Sequence, residues 1–62
     1  MNEEPQKFYI GDHVEKFTGD YRLFGEVRGV IWTIAGKCRY IVEHNGGFLH
    51  IYSANNLRLA GK

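Results

Sequence analysis

The sequence predicts an all-β fold, a small closed barrel of five short strands with one short 3-10 turn near the C-terminus. Three observations predict it. Runs of β-branched and aromatic residues recur along the chain, the longest being Val30, Ile31, Trp32, Thr33 and Ile34. Glycine-containing turns separate the runs, at Gly11-Asp12, Thr18-Gly19-Asp20, Ala35-Gly36-Lys37 and Asn45-Gly46-Gly47. No segment carries the apolar spacing of a long helix. Closing the strands on themselves also removes exposed sheet edges.

Each element follows from its residues. Met1 to Lys7 is polar, contains Pro5 and lacks periodicity, so residues 1–7 read as a loose tail and residues 8–60 as the domain. His13 to Phe17 alternates with Val14 on one face, and Thr18-Gly19-Asp20 ends it. Tyr21 to Phe24 reads as an aromatic loop. Glu26 to Ile34 is the longest strand, with Gly25 and Gly29 allowing it to bend. In Cys38 to His44, Tyr40 and Val42 alternate with Arg39, Ile41 and Glu43. Phe48 to Tyr52 is the outgoing arm of a hairpin. Ser53 to Asn56 reads as one helical turn capped by Ser53, followed by a last strand, Leu57 to Leu59.

Composition excludes several classes. With 62 residues the chain holds one domain and no separate catalytic lobe, and its core is small enough to profit from self-association. Cys38 is the single cysteine, so no disulfide forms within the chain, and the three histidines show no zinc-ligand spacing with it. Cys38 has no neighbouring base to make it a nucleophile. A lone cysteine, no membrane-spanning apolar run and no signal-peptide pattern predict a soluble, cytoplasmic protein. Leaving out the tail, basic groups exceed acidic ones by two, which is no nucleic-acid footprint. Nor is there a glycine-rich phosphate loop, a Ser/His/Asp order or a paired-carboxylate motif.

The stretch Phe48-Leu49-His50-Ile51-Tyr52 carries the most functional information. Alternation puts Leu49 and Ile51 on one face, taken as core-filling, and Phe48, His50 and Tyr52 on the other. The second face offers an imidazole and a phenol side by side. His13 and His44 read as surface or turn residues, and Val30, Trp32 and Ile34 as core or interface.

With these strands in view, Gly11-Asp12-His13-Val14-Glu15-Lys16, Thr18-Gly19, Gly25-Glu26-Val27, Tyr40-Ile41-Val42-Glu43 and Leu49-His50-Ile51-Tyr52 resemble the plasmid-borne type II dihydrofolate reductases. The resemblance runs from about Gly11 to Leu57 and implies an SH3-like barrel. It implies a homotetramer around a pore, with NADPH entering from one side and dihydrofolate from the other. Such an enzyme confers trimethoprim resistance, being insensitive to inhibitors shaped for the unrelated chromosomal reductase. The resemblance assigns Lys16 to the cofactor phosphates and the folate carboxylates. Ile51 would offer backbone groups and an apolar surface, and Tyr52 a hydroxyl beside the cofactor. Rate would come from holding two reactants face to face rather than from a dedicated acid.

Three features depart from the family pattern. His50 stands where the family has glutamine, at the centre of the pore. The loop Gly19 to Gly25 is longer and lacks tryptophan, and the hairpin Glu43 to His50 is shorter. Neutral histidine keeps a donor and an acceptor, as glutamine does. Copies of His50 crowded in a pore would resist protonation together, so activity is expected to fall below about pH 6.5. The other class open to the chain is a non-catalytic module binding a protein or nucleic acid through the His50/Tyr52 face and the Tyr21 to Phe24 loop.

Overall fold

A computed structural model describes residues 3–60 and contains five antiparallel strands in a single sheet. They are β1 (His13–Lys16), β2 (Leu23–Trp32), β3 (Cys38–His44), β4 (Leu49–Tyr52) and β5 (Leu57–Leu59), with a 3-10 turn at Ala54–Asn56. The order across the sheet is β4-β3-β2-β1-β5. The fold is all-β as predicted, but the sheet is not closed. Ser53 and the 3-10 turn carry the chain from one sheet edge to the other instead of turning a hairpin, touching β3 and β5 on the way. Among the described residues no helix is long and apolar enough to cross a membrane.

Alternation builds the core. In β3, Cys38, Tyr40, Val42 and His44 are buried, while Arg39, Ile41 and Glu43 between them are half-buried on the other face. The register sets Val27 against Val42, then shifts between Val27 and Gly29, so that Val30 lies opposite Tyr40. That bulge keeps both valines on the core side of a strand too long for strict alternation. Val14 and Leu57 complete the layer, with Phe8 edge-on to Tyr40 at 5.3 Å between ring centroids. Trp32 is partly exposed and Ile34 fully exposed, so neither fills the core.

Residues 3–7 are not a loose tail. The Glu4 amide donates to the Gly36 carbonyl, and the Glu4 carbonyl accepts from Trp32 Nε1. The Glu4 carboxylate accepts from the Cys38 amide at 2.8 Å, and the Lys7 amide donates to the Tyr40 hydroxyl at 2.8 Å. Polar composition concealed these contacts because they use backbone groups and a turn distant in sequence. Met1 and Asn2 lie outside the described residues.

Gly25 is required for close approach of β2 and β3. A Cβ there would stand 2.5 Å from the Glu43 carbonyl oxygen and 2.6 Å from a Val42 methyl. Gly25→Ala should therefore lower stability by about 2 kcal/mol through overpacking. Urea unfolding checks this, and a midpoint equal to the parent's would contradict it.

Candidate functional site

Register with β3 decides what each β4 side chain faces. Tyr52 lies opposite Tyr40, His50 opposite Val42, Ile51 opposite Ile41 and Leu49 opposite Glu43. Tyr52 and His50 therefore share the core side of the sheet, and Leu49 and Ile51 the outer side. This inverts the expected core-filling face: Leu49 is 58% and Ile51 60% exposed. The cause is that β3 buries Tyr40, Val42 and His44, and whatever pairs with them must face the same way. The outer face is left bare, with Ile31 exposed and Ile41 half-buried beside Ile51, between Arg39 and Glu43.

The backbone of β4 follows from the same register. The His44 amide donates to the Phe48 carbonyl. Counting along the antiparallel ladder, His50 and Tyr52 point their backbone groups toward β3. Leu49 and Ile51 point theirs to the open edge, which no other strand covers among the described residues. Ile51 thus presents a free N–H and a free C=O although its side chain faces away from the rings of His50 and Tyr52.

His44 was expected at the surface, yet it is 4% exposed. Its Nδ1 lies 2.9 Å from the Phe24 carbonyl oxygen and its Nε2 lies 2.8 Å from the Tyr52 hydroxyl. The signal for its burial was in the sequence: His44 falls on the same parity as Cys38, Tyr40 and Val42. Around it stand Phe48, His50 and Tyr52, with neighbouring ring centroids 5.3 to 5.9 Å apart. His50 is exposed and offers its ring to solvent, and Tyr52 is half-buried.

Lys16 lies elsewhere. It sits on β1, three places from β4 in the sheet, and its Nζ donates to the Tyr21 carbonyl at 3.3 Å. Glu15 beside it is buried and pairs with Arg58 at 3.0 Å rather than with Lys16. One chain therefore brings His50 and Tyr52 together, turns the Ile51 side chain to the opposite face and leaves Lys16 apart. The expected Ser53 side-chain cap is also missing; its hydroxyl accepts from Asn56 Nδ2 instead.

A cleft of about 810 Å³ is not lined by Lys16, His50, Ile51 or Tyr52. It runs past His13, Phe24, Glu26, Glu43 and His44. Glu26 and Glu43, which the sequence did not bring together, are register partners, and both pair with Arg28, at 3.2 and 3.4 Å. One guanidinium thus engages both carboxylates.

Burial pushes the phenols of Tyr40 and Tyr52 up from their ordinary value; at Tyr40 the hydrogen bond with Cys38 adds to it. A phenol held neutral in the folded chain but free to ionise when unfolded contributes full stability below its unfolded pKa, about 10. That contribution is lost as pH rises through the folded value. Stability should thus decline above about pH 10, and less steeply in Tyr52→Phe. Unfolding free energies across the alkaline range check the slope, and identical slopes would contradict it.

Compared with family models, curated proteins and solved structures, the chain matches none of them.

Proposed function

We propose that this chain is one subunit of a homotetrameric, NADPH-dependent dihydrofolate reductase-like enzyme whose site forms where copies meet. The observation that carries this reading is the β4 edge. There Ile51 offers a free backbone donor and acceptor next to the exposed ring of His50 and the half-buried ring of Tyr52. Flat amide-bearing rings, such as nicotinamide and pteridine, need such a donor–acceptor pair together with surfaces to stack on. A single chain does not enclose them. The bare outer face of Leu49, Ile51 and Ile31 supplies apolar surface for assembly.

The residues present fit the cofactor in kind. Lys16 is the cation for phosphates and for folate carboxylates, and copies must converge to bring it to the β4 residues. When bound, NADPH supplies the hydride. The chain's own part is to orient two flat reactants and exclude water, an effect worth several powers of ten without any proton-donating side chain. His50 stacks and offers a donor and an acceptor, Tyr52 packs its ring against the reactants, and the Ile51 backbone fixes their orientation.

The experiment is oxidation of NADPH by dihydrofolate with the purified chain and three variants. Ile51→Ala, which keeps the backbone groups, should retain turnover within about tenfold. Ile51→Pro removes an N–H that no strand uses, so the sheet tolerates it as edge strands do. Turnover should nevertheless fall about 100-fold, in the range seen when an orienting contact is misplaced. His50→Ala should lose both a stacking surface and turnover. A folded parent without turnover above background would sink the reading.

The same free edge favours one alternative, a non-catalytic module that takes an extended peptide as an added strand. A strict monomer that binds such a peptide and neither reactant would establish it.

A further inference from the structure

The Phe24 carbonyl dictates the direction of a chain of hydrogen bonds that ends at Tyr52. A carbonyl only accepts, so His44 Nδ1, 2.9 Å away, must carry a proton. In the neutral ring Nε2 is then an acceptor, and its partner is the Tyr52 hydroxyl at 2.8 Å, which has to donate. Gly25 keeps the arrangement open, since a Cβ there would come within 3.1 Å of Nδ1. A hydroxyl has one proton. With that proton committed inward, only its lone pair and the ring remain for anything bound at the β4 edge.

We propose that His44 is a positioning residue that fixes the Tyr52 hydroxyl as a donor into the protein, so that Tyr52 meets its ligand only as a hydrogen-bond acceptor. The ligand group that fits is an N–H donor on a flat ring, as in a carboxamide, and not an anionic or carbonyl oxygen. Burial raises the Tyr52 pKa and keeps the phenol neutral, in line with its role as donor to His44. Phosphates are then left to Lys16. The choice of ligand rests on the reductase reading; the direction of the hydroxyl does not.

The direction is read from the nitrogen NMR shifts of His44 in the labelled 62-residue chain without ligand. A pyrrole-type Nδ1 with a pyridine-type Nε2 is expected, and the reverse tautomer would overturn the proposal. The consequence for ligands is read by titrating the chain with NADPH and with its acetylpyridine analogue, which has no amide N–H. The parent should bind the carboxamide form about tenfold more tightly, the loss expected from one unmade hydrogen bond. His44→Gln, whose amide can donate to Phe24 and accept from Tyr52, should keep the preference. His44→Phe, which keeps a ring but frees the hydroxyl to turn, should lose it; unfolding curves confirm that both variants fold. Equal affinities in the parent, or an undiminished preference in folded His44→Phe, would overturn the proposal. Binding of neither form would remove the reductase reading and the ligand assignment, and the tautomer alone would then decide the role of His44.

Discussion

Tyr40→Ala should leave no cooperatively folded protein at room temperature. Tyr40 is completely buried, lies opposite Val30 and Tyr52, and meets the Phe8 ring edge-on. Removing a buried aromatic side chain costs about 3–5 kcal/mol, the lost burial plus the cavity left behind. A core of this size rarely supplies more than about 3–5 kcal/mol in total. The Lys7 amide also loses its acceptor. Tyr40→Phe keeps the ring and removes only the hydroxyl, with its bonds to the Lys7 amide and Cys38, so it should cost about 1 kcal/mol and lower Tm by roughly 5 °C. Circular dichroism melts of both variants check the pair, and a Tyr40→Ala melt near the parent's would contradict the assigned core.

Ile51→Asp should leave the chain folded and abolish turnover. In an isolated chain the Ile51 side chain is mostly in water, and exposed substitutions change stability by no more than about 0.5 kcal/mol. In an assembly that covers Leu49, Ile51 and Ile31, the same carboxylate would be buried without a partner. Assembly would then fail, and a site shared between copies would go with it, a loss of at least about 100-fold. Sedimentation alongside the NADPH assay separates the two effects. A monomeric parent, or Ile51→Asp with parental size and activity, would contradict the role given to this face.

Local pattern made part of this molecule legible. The ends of β3 and β5 were readable because β3 alternates strictly between two glycine turns and β5 follows directly on the short turn that ends at Asn56. The start of β2 was not. Leu23 and Phe24 sit in an aromatic run that reads as a loop, and only pairing with Lys16 and Glu15 makes them a strand. Strand β2 also ends early, because the Gly36 amide donates to the Thr33 carbonyl and reverses the chain there. The motif Leu49 to Tyr52 was found as a strand, but hydropathy chose the wrong inward face. Register with β3 overrides hydropathy there, and register is a long-range property. His44 was missed for the opposite reason: its parity marked it as buried, but it stands beside a turn, where histidines are usually exposed.

The most direct test is the initial rate of NADPH oxidation with dihydrofolate, measured as a function of protein concentration. A site built where copies meet predicts a rate per chain that rises with concentration and then levels off as assembly completes. No oxidation above background at any concentration, from a sample shown to be folded, would contradict it, as would an undiminished rate per chain at dilutions where the protein sediments as a monomer.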